Sequence, residues 1–153
     1  MYKNLQSHLQ ELTSRFPKQF QLSKAISLGW PDGWHPLVRG VCEQVAVLAP
    51  DLYWIQIKEK FGGLRMYFPE GPLLADNVST GEIIAKLGGD TPLAQAVSKI
   101  VDDAMSQSSH ICAWCGSAGV RRREETWIVT ACDACLIQFR RAGELNLDLD
   151  LDD

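Results

Sequence analysis

Leu5, Leu9, Leu12 and Phe16 recur at helical spacing, with Gln6, Gln10 and Glu11 between them. That stripe predicts an amphipathic helix over residues 2–16, ended by Pro17. A second helix is expected over residues 36–49, with Pro36 in its first turn and Pro50 beyond its end. Its wide apolar face holds Leu37, Val38, Val41, Cys42, Val45, Leu48 and Ala49. Cys42 on that face reads as a core thiol rather than a ligand or nucleophile. A third helix starts at Pro92 behind a Thr91 cap, and its core face is Leu93, Val97, Ile100, Val101 and Ala104.

The period changes from helical to two over residues 53–68, which predicts a β-hairpin. Gly62-Gly63 is the expected two-residue turn. That register sets Lys60 opposite Arg65 and Lys58 opposite Tyr67, and it places Ile55, Ile57, Glu59, Phe61, Leu64, Met66 and Phe68 on one face. Two features of the hairpin are odd. Two cations face each other directly, and Glu59 lies among apolar neighbours, where a carboxylate needs a partner. The basic face with Lys58, Lys60, Arg65 and Tyr67 is either a solvated sheet surface or a contact surface.

Between helix and hairpin lie turn-rich loops. Residues 28–36 hold two Gly, two Pro, an Asp-Gly step and both Trp30 and Trp34. Such tryptophans cap a core, or one of them, Trp34, anchors a partner. Residues 70–90 read as a loop region with a short helix over residues 82–87.

The strongest chemical signal is Cys112-x-x-Cys115 followed, sixteen residues later, by Cys132-x-x-Cys135. Two thiolate pairs at this separation predict a tetrahedral zinc site. Disulfides and redox dithiols are the alternatives. Residues 1–10 have no apolar signal-peptide core, so a cytoplasmic, reducing setting is expected. Four protein ligands fill the shell, which makes the zinc structural rather than catalytic. Gly116 suits a metal knuckle. Residues 127–130 are strand-rich, and residues 136–143 read as a short helix closed by Gly143. Knuckle, hairpin and helix in this order predict a treble-clef finger, with a plain zinc ribbon as the alternative. His110 is the remaining candidate ligand nearby.

These elements make an α+β chain: an α+β core over residues 1–109, a zinc-finger module over 110–141 packed on it, and an acidic tail over 142–153. The formal net charge is −4, the wrong sign for a dedicated nucleic-acid binder. The imbalance sits in the tail, whose residues 142–153 carry five acids and no base. Its Leu–acid alternation reads as a weak strand, and Asp148 and Asp150 would meet a basic surface on a protein partner. No run of apolar residues spans a membrane. The sequence holds no P-loop, no dinucleotide fingerprint and no deaminase H-x-E, and its three histidines do not cluster around the finger as a nuclease requires.

The string Lys58-Glu59-Lys60-Phe61-Gly62-Gly63-Leu64-Arg65, followed by the paired cysteines, resembles a group of small bacterial and prophage proteins. The resemblance covers roughly residues 30–140. It implies a prokaryotic or phage origin and a zinc-binding C-terminal part, and it transfers no catalytic residue. Together these readings point to a non-enzymatic, zinc-stabilised binding protein that inhibits a protein partner, of the immunity or phage counter-defence kind. A nucleic-acid-binding finger using Arg121, Arg122, Arg123, Arg140, Arg141 and Trp127 is the alternative, and a metal-dependent nuclease a remote one.

Overall fold

The computed structural model describes residues 1–69, 91–124 and 127–149, with residues 143–149 given by their backbone alone. The loop and short helix expected over 70–90, and Asp150, lie outside the described residues. Four helices carry the described chain: α1 (Leu5–Arg15), α2 (His35–Leu48), α3 (Pro92–Ser108) and α4 (Asp133–Leu149). Strands β2 (Gln56–Lys60) and β3 (Gly63–Tyr67) form an antiparallel hairpin, and the short β1 (Ser27–Leu28) adds parallel to β2. A second hairpin, β4 (Val120–Glu124) and β5 (Trp127–Ala131), stands apart as a two-stranded sheet.

The predicted apolar faces meet in one core, except for Leu48 and Leu93 at helix ends, which are exposed. Leu12 of α1, Val38, Val41 and Val45 of α2, Val97 of α3, and Ile57 and Leu64 of the sheet are all buried there. Each such side chain stabilises the fold by about 1.5–3 kcal/mol when removed from water. Thr91 caps α3, its Oγ1 accepting from Ala94 N–H at 3.1 Å. Two buried hydrogen bonds tie Gln19 into this core. Trp54 Nε1 donates to Gln19 Oε1 at 2.9 Å, and Gln19 Nε2 donates to the Cys42 carbonyl at 2.9 Å. Cys42 itself is sealed in, and burial pushes its thiol up to about 12, so it is inert as expected.

The hairpin register differs from expectation. The two turn residues are Phe61 and Gly62, and the pairs are Lys60 with Gly63, Lys58 with Arg65 and Gln56 with Tyr67. The pairing slides by two positions, so the strand side chains keep their faces and Met66 and Leu64 stay buried, but Phe61, expected on the apolar face, is carried into the turn and exposed. Lys60 therefore does not oppose Arg65; Lys58 does. The Glu59 oddity also resolves. Its Oε1 accepts the Gly62 N–H at 2.7 Å and closes the turn from below.

Trp34 is not an interface anchor. It is fully buried, and its Nε1 donates to the Ile111 carbonyl at 2.9 Å. The loop that carries it turns through a single 3₁₀ turn over Asp32–Trp34, which leads the ring inward. Residues 144–149 are also not a strand. Helix α4 runs through Gly143 to Leu149, carrying Asp148 with it. A mid-helix glycine costs only about 1 kcal/mol relative to alanine, and the Leu and Glu beyond it are good helix formers. With no neighbouring strand to bond among the described residues, the alternation of residues 144–149 has nothing to favour extension.

A polar network that no motif announces ties α1 to α2. Trp30 Nε1 donates to His35 Nδ1 at 3.2 Å, so the His35 proton sits on Nε2, which donates to Glu11 Oε2 at 2.8 Å. Arg39 holds the same carboxylate through Nε and Nη2. His8 stacks on His35 at 3.7 Å, and Asp32 caps α1 by accepting the Lys3 and Asn4 N–H groups. Burial lowers the His35 pKa, although Glu11 opposes the shift. A folded-state histidine below its unfolded value of about 6.5 gives stability that is full above that pH and declines as pH falls. The melting temperature should therefore fall from pH 7 to pH 5. The decline should be shallower in His35→Gln than in the parent chain, compared pH by pH so that any metal contribution cancels. Equal slopes in thermal melts would refute this assignment. Glu11 is held below the ordinary carboxylate range chiefly by its Arg39 hydrogen bonds, so its contribution is full above the ordinary carboxylate pKa and is lost as pH falls from there through the lower folded value.

Candidate metal centre

The first cysteine pair sits on a tight backbone knuckle. Gly116 N–H donates to the Cys112 carbonyl at 2.9 Å, and Cys112 N–H donates to the Ser117 carbonyl at 2.7 Å. Gly116 has φ +77°, a conformation glycine takes without steric cost. The second pair brackets the start of α4. Leu136 N–H donates to the Cys132 carbonyl, opening the helix, and Cys135 N–H points at Cys132 Sγ at 3.4 Å. The β4–β5 hairpin joins the two halves. Arg122 pairs with Asp133 in the first turn of α4, and Arg140 grips Glu124 through two bonds of 3.0 and 2.6 Å. Phe139 of α4 lies between Trp114 of the knuckle and Trp127 of β5, at 5.5 and 5.3 Å.

These supports bring the four sulfurs within 4.8 Å of one another. Cys115 and Cys132 Sγ are 3.7 Å apart. Tetrahedral zinc with bonds of about 2.3 Å sets its sulfurs roughly 3.8 Å apart, so the spacing fits a metal and is far beyond a disulfide bond. Cys112, Cys115, Cys132 and Cys135 are the only such His/Cys/Asp/Glu group among the described residues, and His110 is not part of it.

The environment favours ionised sulfur at two positions and resists it at a third. Ser117, whose Oγ is 2.6 Å from Cys115 Sγ, holds the Cys115 thiol down to about 6 through its hydroxyl and then its backbone. The Cys135 N–H lowers Cys132. Burial and the neighbouring sulfurs raise Cys135. Four thiolates this close repel strongly unless a cation sits among them. The donor set can hold one metal ion, and soft thiolates suit zinc.

No protein family, curated protein or solved structure matches the chain.

The centre is bolted to the core on one side and to the first hairpin on the other. Gly33 N–H donates to the Ala113 carbonyl at 2.8 Å, and Ala113 N–H donates to the Thr130 carbonyl at 3.0 Å. Thr130 Oγ1 donates to the Gly62 carbonyl at 2.6 Å, and Leu64 N–H donates to Ser108 Oγ. Gly33 and Gly116 face each other so closely that a Cβ on Gly33 would lie 2.0 Å from the Cys112 carbonyl oxygen. Sequence reading found the four cysteines but missed Gly33 and Thr130. The Asp32-Gly33 step was the available signal, and it reads only as a turn.

The other expected contact residues are dispersed. Lys58, Lys60, Arg65 and Tyr67 share the outer face of β2–β3, with Lys58 Nζ 5.9 Å from the Tyr67 ring. Asp148 lies in the final turns of α4. Among the described residues, no helix is long and apolar enough to cross a membrane.

Proposed function

We propose that this chain is a non-enzymatic binding protein, stabilised by a structural zinc in a treble-clef finger, that inhibits a protein partner. A prophage-borne immunity or counter-defence role suits its size and its resemblance to small prophage proteins. The observation that carries the reading is the ligand set. Four clustered cysteines saturate a zinc ion and leave no position for a water or substrate. The outer face of β2–β3, with Lys58, Lys60, Arg65 and Tyr67, offers a basic and aromatic contact surface to such a partner. The acidic residues 144–153 offer a second, suited to a basic surface.

The nucleic-acid reading weakens at the residues it needs. Arg122 and Arg140 are neutralised by Asp133 and Glu124, and Trp127 is turned edge-on against Phe139. Retention on heparin and on mixed-sequence duplex DNA separates the two. The zinc-loaded protein should elute from both at low salt. Tight retention that weakens steeply with salt would replace the protein-partner reading with the nucleic-acid one.

A further inference from the structure

The turn between β2 and β3 breaks a local rule. Both of its central residues have positive φ, Phe61 at 54° and Gly62 at 76°. This is the pattern of a type I′ turn, which Asn-Gly fills most easily. Phe61 is the one non-glycine residue of the described chain held in that region, and a bulky side chain there is a genuine outlier. No core contact compensates it. The ring is 56% exposed, with Lys60 Nζ over it at 5.4 Å. The close fit of Gly62 to Thr130 fixes the turn, but a small residue at position 61 would satisfy it with less strain, so the exposed phenylalanine marks a position held for contact.

The surroundings say what kind of contact. Gly62 lies against β4–β5, where its missing Cβ would touch Thr130 Oγ1, the Val129 backbone and Arg121 Cγ. Arg121 pairs with Thr130 and Arg123 with Ile128, so both arginines share the hairpin face on which Phe61-Gly62 sits. Lys60, Arg121 and Arg123 are exposed, and none enters an ion pair between described residues. The acid at the turn, Glu59, is already held by the Gly62 N–H. One projecting aromatic within three cations is thus buttressed by the metal-bearing module.

Building on the binding-protein reading above, we propose that Phe61 is the specificity anchor: it enters an apolar pocket on a protein partner whose rim carries carboxylates, and Lys60, Arg121 and Arg123 meet that rim. Buried aromatic anchors with charged neighbours are the usual energetic centre of an interface. A single-stranded nucleic acid fits less well, because it needs successive stacking platforms. The exposed aromatic of the metal module itself, Trp127, pairs with Glu124 on the opposite face of the β4–β5 hairpin.

Phe61→Asn tests this, since it installs the favoured turn residue and deletes the anchor. The variant should keep its metal content and melt about 2–4 °C higher, from relief of the left-handed strain. Presented with a displayed library of random short peptides, the parent protein should enrich sequences with an apolar residue flanked by Asp or Glu. Phe61→Asn should bind those peptides roughly thirtyfold more weakly, the loss expected for a hot-spot side chain. Failure of the parent protein to enrich acidic–apolar peptides would overturn the proposal, as would a lower melting temperature in the variant. Equal peptide binding by both proteins would remove Phe61 from the contact but leave the binding-protein reading standing. Tight binding of oligothymidylate that Phe61→Asn abolishes would overturn both.

Discussion

Replacing Cys112 with serine will strip the chain of its metal and unfold the segment from residue 110 to residue 141. Cys112 is the one ligand with no solvent exposure, so no water or external thiol reaches its place to complete the shell. The local core cannot compensate. Apart from its cysteines, the cluster around the site buries only Val129, Ala131 and Leu136. Structural zinc supplies about 10–16 kcal/mol of folding free energy in modules of this size, comparable with or larger than the total stability of a typical domain. The damage should also spread beyond the finger. Ala113 bonds both Gly33 and Thr130, and Thr130 holds the Gly62 carbonyl, so the Phe61 turn loses its buttress. Elemental analysis, thiol titration and amide exchange check the three parts. A metal-free variant with protected amides at Val129 to Ala131 would contradict the claim that metal holds this segment.

Gly33→Ala should be nearly as severe although it touches no ligand side chain. Its Cβ would meet the Cys112 carbonyl oxygen at 2.0 Å, Gly116 N at 2.7 Å and Ala113 C at 2.8 Å. All three are backbone atoms of the metal knuckle, so no flexible side chain can swing aside. The knuckle must lift off the core, breaking the Gly33–Ala113 bond and uncovering Trp34. A loss of about 3–4 kcal/mol is expected, above the roughly 1–3 kcal/mol usual for overpacking because the clash is with backbone that cannot rotate away. That corresponds to a melting temperature lower by roughly 10 °C, with zinc held less tightly against a competing chelator. Gly40→Ala is the matched control. Nothing lies within 4 Å of its missing Cβ in the middle of α2, so it should gain up to ~1 kcal/mol. If both substitutions shift the melt by similar amounts, the close approach at Gly33 does not exist in solution.

The contrast between these glycines shows which parts of this molecule a sequence can disclose. The apolar stripes of α1, α2 and α3 and the two cysteine pairs are local patterns, and local patterns survive into the fold. The Gly33 contact joins residues some eighty positions apart, and no local rule predicts it. The hairpin register failed for a different reason. Gly62-Gly63 is the better turn by propensity, and the chain instead places Phe61 in a conformation propensity forbids. Local preference and tertiary structure conflict there because Gly62 must lie bare against Thr130. Residues 144–149 erred the other way. A period of two was present, but without a partner strand it carried no information about backbone conformation. Trp34 could not be placed from composition alone, since a tryptophan in a loop looks the same whether it faces inward or outward.

The unequal exposure of the four cysteines separates how tightly the metal is held from how quickly it can be traded. Cys112 is sealed and Cys115 is open to solvent, with Ser117 beside it to favour its ionised form. An incoming thiol or chelator would meet the Cys115 position first, with Cys132 and Cys135 only partly open and Cys112 closed. Exchange by stepwise handover from there never requires the bare, repelling set of four thiolates to exist. A metal held by these four sulfurs would thus be firmly bound at Cys112 and open to exchange from the Cys115 side.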